Sequence, residues 1–348
     1  MGKAISWLRR SQARVAGWLA LGACVLLAVP FSVVATEAPP VQPNEPSIHF
    51  GILPIGSAAE SRKQWQPLLD DLAGRLGTPV TTISVSSYAG LSSAIADQRV
   101  DIAFLSGRLA IEAVLHQHMG VVAQFVRTDG AKGNVGMLVV RTDGPIRGLG
   151  DMLAQAGRWR YARGEPLSVT GYVAPEAEVF APRGLNSDTF FASVHVGNHQ
   201  NNMLAVANGE ADISTSNNPD LDLFRRNFPR EAAQLKVIWR STSIPCGVLV
   251  VRRDMAEPLR SRLVAFMRGY GKGSDATAAE ERVKLAQVPD LAGFNAADGR
   301  VLKPFVDMEY TLLRQQAKNG RWVSEEAREA RLRQVETQYR QTLAGLRP

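Results

Sequence analysis

From Ile48 onward the sequence alternates short apolar runs with helical stretches, and this alternation limits the fold more than any other feature. IHFGIL (48–53), TTISV (81–85) and VDIAFL (100–105) read as strands. Between the first two, Trp65, Leu68, Leu69, Leu72 and Leu76 recur at the spacing of one buried helix face. A helix from Gly90 to Ala96 precedes the third strand, and VVAQFV (121–126) and VGMLVV (135–140) are expected to extend the same sheet. Strands that alternate with helices imply an α/β fold, with mostly parallel sheets and helices on both faces.

A second run of the same kind begins near Asp143. It reads as a helix over 149–155, a strand RWRYA (158–162), a helix from Tyr172 to Phe180 and a strand FFASVHV (190–196). A helix from Asn202 to Asn208, a strand ADIST (211–215) and a helix from Pro219 to Asn227 follow. KVIWRS (236–241) leads into VLVVRR (248–253), and the remainder is expected to be mainly helical. Two such units, with crossings near 141–146 and 241–247, describe two lobes on a two-strand hinge, the layout of a trap that closes on a ligand. One larger α/β domain satisfies the same pattern. The expected boundaries are 48–142 for the first part of lobe 1, 143–245 for lobe 2 and 246–306 for the return to lobe 1. Residues 307–348 read as a tail of solvated helices that packs on the lobes or on another subunit.

Upstream, Lys3, Arg9, Arg10 and Arg14 precede Ala16–Ala35, which carries no charge, and Val33-Val34-Ala35 offers a cleavage site. Residues 1–35 are therefore expected to act as a signal peptide or, through 16–35, as an uncleaved inner-membrane anchor, the apolar stretch being long enough for either. Leu21-Gly22-Ala23-Cys24 resembles a lipobox, but lipidation there would leave a second apolar run at the new N-terminus. Arg9-Arg10 fits a twin-arginine signal poorly. Residues 36–47 hold four prolines and read as an extended linker. The expected location is the periplasm.

That assignment changes the meaning of the charge. A formal net charge of +7 suggests an acidic partner such as nucleic acid. Four of those charges lie in residues 1–35, which contain no Asp or Glu, and the remaining +3 no longer points to nucleic acid. Removing the same segment takes away Cys24 and leaves Cys246 alone, so no intrachain disulfide can form and stability must come from packed cores.

No nucleophile elbow, HExxH, Walker loop, GxGxxG after a strand or CxxC is present, so no catalytic residue, cofactor or metal is expected. The most informative stretch is GEPLSVTGY (164–172), between a strand and a helix. There Ser168 and Thr170 put hydroxyls beside the free N–H groups of a helix N-terminus, which attracts anions. Ordinary helix capping is the plain alternative. His199, in VGNHQNN (196–202), also follows a strand and precedes a helix, as a donor to an oxyanion or as a satisfied surface histidine. Tyr88 occupies a comparable loop of lobe 1, where its hydroxyl either reaches a cleft or packs. All three lie at carboxyl ends of strands, where open α/β sheets bind ligands.

Across residues 48–310, FGILP, W-x-P-L-L-x-x-L-x-x-x-L-G from Trp65, Ser87-Tyr88-Ala89-Gly90, VDIAFLSG with AIEAV, and Ser168-x-Thr170-Gly171-Tyr172 occur in order. They are followed by His199 with MLAVANGEADIS, Asn217-Asn218, LKVIWRSTSIP and AGF. Together these motifs resemble the PhnD-like family of phosphonate-binding proteins of ABC importers. The resemblance implies a type II periplasmic binding protein fold, a phosphonate or related small phosphorus oxyanion held between the lobes, an ABC permease as partner, and no enzymatic activity. It places ligand donors at Ser168, Val169, Thr170 and His199, with Val169 replacing a hydroxyl residue and so offering only its N–H, and a cleft tyrosine at Tyr88. Two positions depart from the family pattern, and a third is open. Asn134 stands where a tyrosine is expected and Gly247 where an acidic residue is expected. A further carboxylate is Asp220 if one insertion is allowed, and the position is Pro219 otherwise. A cationic aminophosphonate would then lack its counter-charges, at about 1–3 kcal/mol per charge-assisted bond. Another phosphonate, a phosphate ester or another small anion fits as well. A membrane-tethered sensing module of the same fold, reporting to a sensor kinase, is the alternative function.

Overall fold

The computed structural model describes residues 47–54 and 57–347. The export segment 1–35 and the linker up to residue 46 lie outside the described residues.

Lobe 1 begins β1 (Ile48–Ile52), α1 (Ala58–Leu76), β2 (Val80–Ser84), α2 (Tyr88–Ala96), β3 (Ile102–Leu105), α3 (Gly107–His116), β4 (Met119–Arg127). Helix α1 is built as its pattern requires. Ser57 caps its first turn by accepting from Glu60 N–H, Gly77 ends it in the left-handed region at φ 65°, and Trp65, Leu68, Leu69, Leu72 and Leu76 are buried. Lobe 2 comprises β5 (Gly133–Arg141), α4 (Leu149–Leu153), β6 (Arg160–Arg163), a helical stretch with π-turns at Val169–Val173 and Glu176–Phe180, and α5 (Ser187–Phe190). It continues with β7 (Ser193–Val196), α6 (His199–Ala207), β8 (Ile213–Asn217), α7 (Asn218–Asn227), α8 (Pro229–Ala232) and β9 (Leu235–Pro245). The chain then returns to lobe 1 with β10 (Val248–Arg252), α9 (Glu257–Gly269), α10 (Ala276–Leu285) and β11 (Leu291–Ala296), and ends in α11 (Lys303–Asn319) and α12 (Glu325–Gly345).

Two sheets result, ordered β11-β4-β10-β3-β1-β2 and β7-β6-β8-β5-β9. The architecture is the expected two-lobed α/β type, with two corrections. Each sheet is mixed rather than mostly parallel: β2-β1-β3 and β7-β6-β8 are parallel, whereas β10, β4, β11, β5 and β9 all pair antiparallel. The strand at 135–140 also does not extend the first sheet. As β5 it pairs with β8 and β9, so the first crossing falls at 128–132 rather than 141–146, and 133–142 sits with lobe 2. Since β4 and β5 are joined by a short glycine-containing turn, they resemble a hairpin in sequence, yet they diverge into different sheets.

The two crossings lie side by side. Gly133 pairs with Pro245, Phe125 N–H donates to the Gly247 carbonyl at 3.0 Å, and Gln124 Nε2 donates to the Cys246 carbonyl at 3.2 Å. Arg127, at the end of β4, spans the junction: it pairs with Asp129 and Asp290 and donates to Asn134 Oδ1 at 2.8 Å.

The return segment, expected to be mainly helical, holds a strand, β11, whose LAGFNA sequence is interrupted by Gly293, at φ 145°, and lacks clean alternation. The tail starts earlier than expected. Helix α11 begins at Lys303, buries Phe305 and Val306 against the lobe 1 core, and reaches lobe 2, where Asn319 Nδ2 donates to the Ala181 carbonyl at 2.8 Å.

Candidate functional site

The edge where the lobes meet collects the carboxyl ends of the parallel strands and the amino ends of their antiparallel neighbours. Tyr88 follows β2, the Ser168 turn follows β6, His199 follows β7 and Asp220 follows β8. Asn134 arrives at the start of β5, antiparallel to β8, and Gly247 just before β10, antiparallel to β3. Two adjoining cavities of about 80 Å³ each occupy this cleft and share Leu53, Phe104, Asn134, Pro219, Asp220 and Gly247 as walls. Each has room for a few water-sized groups, the scale of a small anion. Tyr88, Ser168, Val169, Thr170 and His199 line one of them together with Ser106, Asn217 and Phe305.

The donors on lobe 2 come from a preformed turn. Gly164 and Gly171 lie back to back, with Gly164 N–H donating to the Gly171 carbonyl at 3.0 Å. A Cβ on Gly171 would stand 2.7 Å from Ser168 Oγ and 2.8 Å from Gly164 Cα, so only glycine allows the approach. The helical stretch starts at Val169, three residues before the expected Tyr172, because Ser168 caps it by accepting Gly171 N–H at 3.1 Å. Its opening turn is π-wound: Val173 N–H donates to the Ser168 carbonyl at 3.1 Å, five residues back. Among the described residues, no protein acceptor takes the N–H groups of Val169 and Thr170. Ser168 Oγ, buried and already accepting, keeps its own proton to donate.

His199 is likewise the first residue of a helix rather than a loop residue, with Asn198 capping that turn by accepting Asn201 N–H at 2.8 Å. Its Nδ1 lies 3.4 Å from the Thr215 carbonyl. Its Nε2 lies 3.2 Å from Thr170 Oγ1, which in turn accepts from Asn217 Nδ2 at 3.1 Å. Asn217 Nδ2 also donates to Asp220 Oδ2 at 2.6 Å, and Asp220 Oδ2 lies 3.8 Å from His199 Nε2. Burial raises the Asp220 carboxyl above its ordinary value, while His199 and Asn217 pull it back. Burial also raises the Tyr88 hydroxyl, which therefore stays protonated and able to donate.

Several residues outside the expected set belong here. Val169 is more than a lost hydroxyl: its side chain presses on Gly107 of lobe 1, where any Cβ would stand 1.8 Å from Val169 Cγ2. Ser106, the N-cap of α3, makes no side-chain capping bond and faces the cleft. Glu165 reaches from lobe 2 to lobe 1 and accepts from Tyr88 N–H at 2.8 Å and Ala89 N–H at 3.2 Å. At the opposite rim Asn227 Nδ2 donates to Glu60 Oε1 at 2.8 Å. The lobes are therefore closed on one another. No sequence signal marks these cross-lobe pairs, although VDIAFLSG contains Ser106 and Gly107.

Both departures and the open position have physical reasons. Asn134 Oδ1 is committed to Arg127, which leaves its amide N–H groups for the cleft. A Cβ on Gly247 would stand 2.7 Å from the Phe104 ring and 2.8 Å from the Leu105 carbonyl, so no acidic side chain fits there. Of the two candidates on α7, Asp220 brings a carboxylate to the shared wall of the cavities, beside Pro219.

A family model described as "ABC transporter, phosphonate, periplasmic substrate-binding protein" matches residues 50–301. The "Phosphonates-binding periplasmic protein" of Escherichia coli K12 is 31% identical over 295 residues, covering 85% of this chain and 85% of its own length. The "Phosphate-import protein PhnD" of Mycolicibacterium smegmatis is 25% identical over 222 residues, 61% of this chain and 68% of its own. Among solved structures, a binding protein component of an ABC phosphonate transporter from Pseudomonas aeruginosa superposes with a TM-score of 0.81 at 31% identity. That match covers 86% of this chain and 97% of the other.

Proposed function

The chain belongs to the family of periplasmic phosphonate substrate-binding proteins of ABC transporters, and from that premise we propose that it holds a phosphonate or related phosphorus oxyanion on the Ser168–Thr170 turn. It is a binding component that carries out no reaction; its partners are a small-molecule ligand and a transporter permease. The observation that carries the ligand reading is the convergence of the unpaired Val169 and Thr170 N–H groups, the Ser168 hydroxyl and His199 on one small cavity. Neutral dipoles at a helix start hold an anion without a fixed cation, and closure removes competing water. Tyr88 completes the cavity from lobe 1, and Asn134 and Asp220 face whatever group the phosphorus carries.

With Asp220 as the one carboxylate, among the described residues, that lines the cavity at the Ser168–Thr170 turn, this part of the cleft favours a ligand that brings a proton or a single positive charge rather than a second anionic group. Calorimetric titration with methylphosphonate, 2-aminoethylphosphonate, phosphite, phosphate and sulfate tests the reading. Binding of at least one phosphorus oxyanion, with sulfate excluded, supports it; no binding by any of them overturns it. Nothing in the comparisons favours a sensor kinase over a permease. Among the described residues no helix is long and apolar enough to cross a membrane. Tethering through residues 16–35 is decided by whether the protein fractionates with the inner membrane or is released with the periplasm.

A further inference from the structure

Helix α2 of lobe 1, nine residues long, begins with the N–H groups of Tyr88, Ala89 and Gly90. Its own cap satisfies one of them, since Ser87 Oγ accepts from Gly90 at 2.9 Å. The other two point at the carboxylate of Glu165, which belongs to lobe 2. A helix N-terminus with two open donors attracts an anion, and here the opposite lobe supplies one. When the lobes part, both donors return to water, so these bonds exist only in the closed form.

Glu165 is also tied to the ligand turn. Its carbonyl accepts Ser168 N–H at 2.8 Å, and the preceding Gly164 is fixed by bonds to Thr215 Oγ1 and the Gly171 carbonyl. The carboxylate and the oxyanion donors therefore move as one body, three residues apart. On lobe 1, the residue whose N–H it takes is Tyr88, whose side chain lines the oxyanion cavity. Glu165 itself does not line that cavity.

We infer that Glu165 is a positioning residue for ligand capture: it latches lobe 2 to the start of α2 and holds Tyr88 over the bound anion. This rests on the reading of the cleft as an oxyanion site. The latch acts on the closed form, with or without a ligand, so its loss speeds the escape of a seated ligand and, where the ligand-free protein is only partly closed, changes arrival little.

The test uses Glu165→Gln, which keeps the shape and removes the charge, and Glu165→Ala. Stopped-flow tryptophan fluorescence with methylphosphonate or phosphate as the probe should show dissociation faster by about tenfold or more, with association within about twofold of wild type. A purely structural role would instead lower the melting temperature or change both rates. Small-angle X-ray scattering of the ligand-free proteins adds a reading that needs no ligand, with the radius of gyration expected to be larger in Glu165→Ala than in wild type. Unchanged dissociation in both variants, together with identical scattering, overturns the latch. If neither probe binds wild type, the oxyanion reading fails and the scattering comparison alone decides the latch.

Discussion

Replacing Glu176 with Gln should remove a pH dependence of stability that originates inside lobe 2. Glu176 lies on the helical stretch that opens at the ligand turn and is 1% exposed. Its Oε1 accepts Ser187 N–H at 3.3 Å, whereas Oε2 has no partner among the described residues. Burial pushes its carboxyl from 4.5 up to about 7, with hydrogen bonding from Ser187 pulling partly back. A raised carboxyl means that the folded protein holds a proton which the unfolded chain has released. The stability from this group is therefore fully present below pH 4.5 and is lost as pH rises toward 7 and just beyond. At ~1.4 kcal/mol per pH unit, the loss across that window is about 3 kcal/mol. Gln has no proton to lose and mimics the neutral acid. Urea denaturation from pH 4.5 to 8.5 should show the two proteins similar at the acid end and Glu176→Gln more stable by about 3 kcal/mol at the alkaline end. Taking the difference between variants cancels other titrating groups. Parallel stability curves would refute the reasoning, since the buried carboxyl would then titrate alike in both states.

Three further outcomes follow from the site. Ser168→Ala and His199→Ala each remove a donor to a charged ligand, a loss of about 1.5–3 kcal/mol or roughly 10–100-fold in affinity by calorimetry; unchanged affinity in both would move the site elsewhere. Gly247→Asp should lower stability by about 1–3 kcal/mol because its Cβ meets the Phe104 ring and the Leu105 carbonyl, and it should not tighten binding of 2-aminoethylphosphonate. A variant as stable as wild type with higher affinity for that ligand would show that Phe104 yields. Gly171→Ala should abolish binding by forcing apart the Gly164–Gly171 contact while circular dichroism stays near wild type; retained binding would mean that the turn is not preformed.

How much of this was legible in the sequence depended on whether the interaction was local. The α1 stripe from Trp65 to Leu76, the strand cores and the strand-to-helix placement of Tyr88, Ser168 and His199 are all short-range patterns, and the fold follows them. The sequence pattern sets the helix starts three residues late at Val169 and His199, since Ser168 and Asn198 act as caps and draw the first turn toward themselves. The position of the first crossing is not legible locally, because nothing between Arg127 and Gly133 says which sheet β5 will join. Only its pairing with β8 and β9, more than 70 residues away, decides that. Two of the contacts that close the cleft, Glu165 with α2 and Val169 with Gly107, join residues about 60 to 80 positions apart and carry no local periodicity. Likewise, the glycine at 247 reads as a missing carboxylate until Phe104 is seen to occupy the space. Cys246 is a free thiol buried beside the hinge, a burial that nothing in its local sequence marks.

The central claim is the location of the anion. A crystal structure of the protein with methylphosphonate tests it most directly. The account predicts phosphonate oxygens within about 3 Å of Ser168 Oγ, the Val169 and Thr170 amide nitrogens and His199 Nε2, with the Tyr88 side chain closing over them. An anion bound away from the Ser168–Thr170 turn would contradict it.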